Sequence, residues 1–338
     1  MLINVPIESL DERYSAQWNK WFPQQFSKLG VDYYTVYPEP YCNSIRQGQF
    51  LDVVGTNIFK ARQIGELLQL VDTGKILDGD VLFFHDLWFP GLESLFYVRD
   101  ALKIDFKIVG ILHAGSYDPN DYLAQCGMER WAEGIESSWF KEVDHIFLAT
   151  AYHRDLLRKG SRIDLNKVSV TGLPMFFHSI PGRKENIIVF PHRLAPEKAP
   201  EEFDKLISEL RHSLPDWLFV KTKDVTTTKQ EYYELLAKSK VAISCAKQET
   251  WGIAQQEAVF SGCVPIVPDR LSYAELYPDV FKYRNSDELL TKVVEFATRY
   301  NTWVSSKDFL VVKERLAYMG SHAISAMVRS MQKKGWAI

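Results

Sequence analysis

The sequence predicts an α/β protein of two doubly wound domains, each a parallel sheet covered by helices. Three observations lead there. Short apolar runs of strand length alternate with longer stretches of helical periodicity along the whole chain, the pattern of βα units. At 338 residues the chain has room for two domains of ordinary size, about 100–200 residues each. The alternation is interrupted most clearly at FFHSIPGRKEN, residues 176–186, where proline, glycine and charge break the apolar pattern.

In the first half, LINVPI, DYYTVYP, DVLFFHD, FKIVGILHA, HIFLATA and KVSVTGLP read as strands, because buried parallel strands are near-continuous runs of β-branched and aromatic residues. The stretches between them, YSAQWNKWFPQQFSKLG, NIFKARQIGELLQLVDTG, LESLFYVRDAL and RWAEGIESSWFKEV, carry the helical repeat. The second half does the same. NIIVFPH, WLFVKTK, VAISCA and VPIVPD read as strands, and APEEFDKLISELRHSL, KQEYYELLAKS and IAQQEAVFSG as helices. From Lys307 onward the chain is helical throughout and is expected to pack back on the first domain. The expected boundaries are 1–178, 179–306 and a helical segment 307–338. Two facing Rossmann-like domains leave a cleft at the carboxyl ends of both sheets, where such sheets bind ligands.

Composition narrows the function. Hydrophobic residues at 46% and charged residues at 25% are those of a soluble globular protein. A net charge of −3 gives no global basic field to attract nucleic acid or acidic lipid, although a local basic surface is compatible with it. No apolar run approaches the ~18–20 residues of a membrane span, and the N-terminus reads as a buried strand rather than a signal peptide. Cys42, Cys126, Cys245 and Cys263 show neither disulfide nor metal-ligand spacing, so a cytoplasmic, reducing location and no metal are expected. Nine Trp, sixteen Tyr and twenty Phe serve first as packing; the alternative is a site that stacks on something flat.

KQETWGIAQQEAVFSGCVP, residues 247–265, holds the chemistry. Glu249 and Glu257 stand eight positions apart, about 12 Å along a helix. Gly252 breaks the pattern between them, which puts Glu249 in the loop before a helix and Glu257 within its first turns. One carboxylate then suits sugar hydroxyls and the other a ribose diol. A diphosphate fits at the helix N-terminus, where backbone N–H groups and the dipole favour anions, and Gly252 permits close backbone approach. Two glutamates with that spacing alone are more often surface residues flanking a buried helix.

The match is longer than the pair. SCAKQETWGIAQQEAVFSGCVPIV resembles the donor-site signature of family-4 retaining glycosyltransferases, with Glu249, Gly252, Ile253, Glu257, Ala258, Gly262 and Pro265 in place and Ser244 at a looser spacing. IIVFPHRLAPEKAPEEF adds Arg193 and Lys198, five apart after a strand, where the same family carries two cations for the donor diphosphate. Here His192 and Ala199 replace the two glycines usual in that motif. This segment, together with GCVPIVPDRLSYAELYP, is similar to the tRNA-queuosine mannosyltransferases, which act on a hydroxyl of a hypermodified nucleobase. LINVPIESLDERYSAQWNKWFP looks like phage glycosyltransferases that decorate 5-hydroxymethylpyrimidines in DNA, while the glycine-rich loop common after the first strand is absent.

The resemblance implies a glycosyltransferase B fold and a retaining, metal-independent hexosyl- or pentosyltransferase. Its substrate is a nucleotide-diphosphate sugar, with no cofactor besides. Arg193, Lys198, Glu249, Trp251, Gly252, Ile253 and Glu257 would form the donor site. His113, at the end of GILHA, would reach the donor sugar and join Arg193, Lys198 and Glu249 as a catalytic residue. Arg13, Tyr14, His85, Asp86 and Asp118 are the acceptor-side candidates, although a strand-end histidine or a turn aspartate is as often structural. Trp18, Trp21 and Phe22 share a helix face and read as core, the alternative being an acceptor wall on which a base stacks. The expected acceptor is the hydroxymethyl group of a modified pyrimidine in phage DNA, in the host cytoplasm, and a duplex base would have to be flipped out to react. A polysaccharide, a lipid-linked sugar or a small molecule is the alternative acceptor, and a non-catalytic nucleotide-sugar-binding protein the alternative of another class.

Overall fold

A computed structural model describes residues 1–10, 14–41, 52–161, 163–177 and 180–338. Arg13 and Cys42 lie outside the described residues, as do two positions of the interdomain stretch, His178 and Ser179. The chain divides into two compact units, Met1–Pro174 with His322–Ile338, and Met175–Ser321.

The first unit holds six strands: β1 (Leu2–Val5), β2 (Tyr33–Thr35), β3 (Val81–Phe84), β4 (Lys107–Ile111), β5 (His145–Leu148) and β6 (Val168–Val170). They form one sheet in the order β2-β1-β3-β4-β5-β6, every pair parallel. β1, β3 and β5 are buried at every position, as strands covered by helices on both faces must be. Ile3, Leu82, Ile108 and Ile146 carry the core across the sheet, against Leu67, Phe96 and Trp139 from the helices.

The second unit holds β7 (Ile187–Phe190), β8 (Leu218–Lys221), β9 (Val241–Ile243), β10 (Val264–Pro268) and β11 (Lys282–Tyr283). Their order is β11-β10-β9-β7-β8, again all parallel. Both sheets wind outward in two directions from their first strand. The direction reverses between β1 and β3 in one unit and between β7 and β9 in the other. Loops after neighbouring parallel strands leave from the same end, so each reversal opens a crevice at the carboxyl ends of its strands.

Some boundaries differ from the sequence pattern. HIFLATA ends as a strand at Leu148, because the Thr150 hydroxyl accepts the His153 N–H and starts a helix, Ala151–Gly160, that the apolar pattern did not reveal. WLFVKTK ends at Lys221 and turns directly into a short helix, Thr222–Val225. β11 completes the second sheet, and the helix Ser286–Thr298 follows it. The last helix runs Lys307–Lys333, and its part from His322 onward belongs to the first unit. There Ser330 Oγ lies 3.2 Å from Ser169 Oγ, and Trp336 packs edge-on against His145. Among the described residues no helix is long and apolar enough to cross a membrane.

Candidate functional site

The reversal between β7 and β9 gathers the two halves of the sequence motif. Arg193 and Lys198 follow β7, and Glu249 follows β9. Lys198, only 7% exposed, donates to the Glu249 carboxylate at 3.1 Å and to the Gln248 carbonyl at 2.6 Å. The backbone N–H of Lys247 donates to the Glu197 carbonyl at 2.8 Å, which ties the two loops together. Burial alone would raise the Glu249 carboxyl; the Lys198 ammonium beside it and the Gly252 N–H outweigh that and hold it at about 2. A charged carboxylate thus faces a charged amine in a nearly dry corner.

Arg193 is held by Glu197, one helical turn on: its Nε donates to Oε1 at 2.8 Å and its Nη2 reaches the same oxygen. Its side chain is 36% exposed, which leaves the guanidinium partly at the surface. His192, between Arg193 and β7, is buried against Phe190. Burial first, then the charge of Lys198, depress the imidazole to about 3, with Glu249 opposing and Arg193 adding to the fall. His192 is therefore a neutral filler at neutral pH where the family motif has glycine. Ala199, where the motif has its second glycine, adopts φ 53° and ψ 54° and has no exposed surface. An alanine held in the left-handed region is strained by about 1–2 kcal/mol. Ala199 is one of three non-glycine residues with positive φ among those described.

Gly252 caps the helix Ile253–Phe260 with φ 77°. A Cβ there would stand 3.0 Å from Cε1 of Tyr273, a ring fixed in turn by a 2.9 Å hydrogen bond from Ser244. The position needs glycine on both counts. Trp251 is 1% exposed, and its Nε1 is buried without a hydrogen-bond partner. Glu257 is 2% exposed and accepts from Lys229 at 2.8 Å and Tyr233 at 2.9 Å. Sequence reasoning missed Lys229, Tyr233 and Glu197. KQEYYELLAKS does place Lys229 and Tyr233 on one helix face, four apart, but nothing in that stretch tells which face meets Glu257.

In the first unit, His113 follows β4 and its Nε2 donates to the His85 carbonyl at 2.8 Å. Its ring lies 5.4 Å from Trp18 and 5.9 Å from Tyr14, so Tyr14, Trp18 and His113 form one group. Trp18 and Phe22 are fully buried, in keeping with the core reading of that helix face, and Trp21 is half-buried. His85 has no exposed surface. It donates to Asn4 Oδ1 at 2.7 Å, packs 4.0 Å from Phe22, and is depressed to about 3 by burial and then by His113. Its expected contact with an acceptor is corrected: it is a core residue beneath His113. Asp86 pairs with Lys60 at 2.9 Å, and Asp118, 4% exposed, accepts the Asn120 N–H at 3.0 Å as a turn-forming aspartate does.

With this geometry in hand, the chain can be set beside known proteins. No family model matches it. It is 30% identical over 112 residues to a tRNA-queuosine alpha-mannosyltransferase of Drosophila melanogaster, a match spanning 33% of this chain and only 28% of that protein's length. Among solved structures it is similar to a sucrose-phosphate synthase from Thermosynechococcus elongatus, with a TM-score of 0.68 at 11% identity over 98% of both chains. It is also similar to HepE of Anabaena in complex with UDP-glucose, with a TM-score of 0.59 at 10% identity, covering 98% of this chain and 100% of that one. The fold is that of the glycosyltransferase B proteins. Within that fold, the β7–β9 reversal is the reversal of the second Rossmann-like unit, and the resemblance read from the motifs rests on residues that come together there.

Proposed function

We propose that this protein transfers a glycosyl group from a nucleoside-diphosphate sugar to an acceptor hydroxyl, with retention of configuration. The observation that carries the reading is the Lys198–Glu249 pair at the β7–β9 reversal, beside a helix start opened by Gly252. Lys198 and Arg193 bind the diphosphate and stabilise it as it leaves, and two such cations let the reading dispense with a metal. The N–H groups at the start of the Ile253–Phe260 helix face the same anion. Glu249 holds the sugar and Glu257 the ribose. The acceptor oxygen attacks the anomeric carbon on the face the diphosphate leaves. The C–O bond to phosphate breaks, and the hydroxyl proton passes to the departing phosphate oxygen. We assign His113 to the donor sugar, and Tyr14, Asp86 and Asp118 to the acceptor side, as the motif resemblance implies.

For the acceptor we propose a hydroxyl on a modified nucleobase, a hydroxymethylpyrimidine in DNA being the first to test. The sequence likeness to an enzyme named for a tRNA nucleoside supports that class. UDP-glucose, bound in HepE, is the first donor to try. The experiment incubates labelled nucleotide sugars with DNA containing 5-hydroxymethylcytosine, 5-hydroxymethyluracil or neither, and with queuosine-bearing tRNA. Label on a hydroxymethylated DNA alone supports the proposal. Label on tRNA moves the acceptor within the class, and label only on carbohydrate or lipid overturns it. Donor turnover that survives Glu249→Ala and Arg193→Ala unchanged overturns the site.

A further inference from the structure

Glu257 is buried to 2% exposure, yet Lys229 and Tyr233 reach it from a helix that no part of the donor motif includes. Lys229 opens that helix, Lys229–Lys238, in its first turn behind a Thr228–Glu231 capping box. Its ammonium lies 2.8 Å from Glu257 Oε1 and 4.8 Å from the ring centres of both Tyr232 and Tyr233. The Tyr233 hydroxyl donates to the same oxygen at 2.9 Å. Two donors on Oε1 hold the carboxylate and fix its rotation, and the Tyr232 hydroxyl of the same helix interacts with it as well. The Tyr233 ring is itself edged by Phe177 at 5.1 Å.

The carbonyl ends of the two helices are tied together as well. Lys184 donates to the carbonyls of Leu236, at 3.2 Å, and of Ser239 and Ser261, each at 2.6 Å. One amine thereby clamps the C-terminal ends of the helices that carry Lys229, Tyr233 and Glu257. The relative register of these three side chains is fixed from both ends. Lys229 keeps 26% of its side chain exposed while Glu257 keeps 2%.

We infer that Lys229 and Tyr233 are positioning residues that make Glu257 selective for the ribose of the donor nucleotide, a reading that rests on the proposed glycosyl-donor site. A buried carboxylate without its cation is strongly disfavoured, and a turn of the side chain to find another partner moves its oxygens away from a sugar hydroxyl. A carboxylate fixed in rotation presents its acceptor lone pairs in one direction, where the hydroxyls of a ribose can meet them and a dideoxyribose offers none. The recognised chemistry is the vicinal diol of a ribonucleoside diphosphate.

The test is calorimetric titration of the full-length chain, of Lys229→Met and Lys229→Arg, and of Tyr233→Phe. The ligands are UDP, GDP and ADP, each compared with its 2′,3′-dideoxy counterpart. The parent protein is expected to prefer one ribonucleotide over its dideoxy form by about tenfold or more, the effect of a hydrogen bond to a charged group. Lys229→Met weakens the ribonucleotide and leaves the dideoxy form nearly unchanged, so that the preference collapses. Tyr233→Phe reduces it partially, and Lys229→Arg retains most of it. An intact preference in both Lys229→Met and Tyr233→Phe overturns the inference and leaves the donor site standing. Equal weakening of both ligand forms marks a purely structural role and also overturns it. A parent chain that binds none of the nucleotides overturns the donor reading itself.

Discussion

Lys198 and Glu249 are separated by 51 positions in the chain, yet their charged atoms stand 3.1 Å apart with side chains 8% and 15% exposed. Each is the other's main compensation for leaving water, so truncating one strands the other. Lys198→Met is expected to lower unfolding free energy by about 3 kcal/mol, the cost of an uncompensated buried charge, and the proposed glycosyl transfer by about 10²–10³-fold. Glu249→Gln should act in the same direction. Chemical denaturation of both singles and the double variant measures the coupling, and additive losses would show that the pair does not act as one.

Gly252→Ala tests the loop before the Ile253–Phe260 helix. The substitution asks an alanine to hold φ 77° with its Cβ 3.0 Å from the Tyr273 ring. A stability loss of about 1–2 kcal/mol is expected from the backbone alone. Donor affinity should fall further than stability does, because the first N–H groups of the helix shift with the loop. Combining Gly252→Ala with Tyr273→Leu should recover part of the loss, read by thermal unfolding.

Ala199→Gly goes the other way. It relieves a left-handed alanine at φ 53°, against the entropy a glycine adds to the unfolded chain. The balance is a gain of up to about 1 kcal/mol, seen as a later denaturation midpoint with an unchanged slope. A lower midpoint would show that the alanine methyl packs well enough to outweigh its strain.

Acid stability should be governed by histidines before carboxylates. His85, His153 and His192 are buried and each is depressed to about 3, in every case by desolvation first. In the unfolded chain they protonate near pH 6.5, so between about pH 6.5 and 3 the unfolded state binds more protons. Stability then rises with pH across that window and is lost as pH falls through it, by up to about 1.4 kcal/mol per pH unit for each histidine. Equilibrium unfolding followed from pH 7.5 to 4 should show a flat region above pH 7 and a steep decline below 6. His153→Gln should flatten that decline, and a stability independent of pH down to 4 would contradict the burial of all three.

The strands of both sheets were legible because parallel strands buried on both faces are apolar throughout, as in Val81–Phe84 and Val264–Pro268. Lys198, Glu249 and Gly252 were legible as candidates because each lies in a short motif just after a strand, Lys198 after β7 and the other two after β9. What the sequence could not show was burial. His85 and His113 both end strands, yet one is covered by Trp18 and Phe22 and the other keeps an exposed edge. Trp251 sits within the motif but faces the core. Lys229 and Tyr233 were invisible for a related reason: their meaning depends on a contact between two helices, and the local pattern only says that each helix exists. The helix Ala151–Gly160 was hidden by its polarity, since only His153 and Leu157 are buried on it.

The β7–β9 adjacency also bears on how the chain reaches its native state. These strands pair side by side, but β8 and its helices must be made between them and laid on the far edge of β7. Closing so long a loop is slow relative to local helix formation. Lys198 and Glu249, 51 positions apart, are therefore expected to meet later in refolding than the local helices form. Their contact is a late reporter of refolding, and a kinetic probe placed there should lag behind the signal of helix formation.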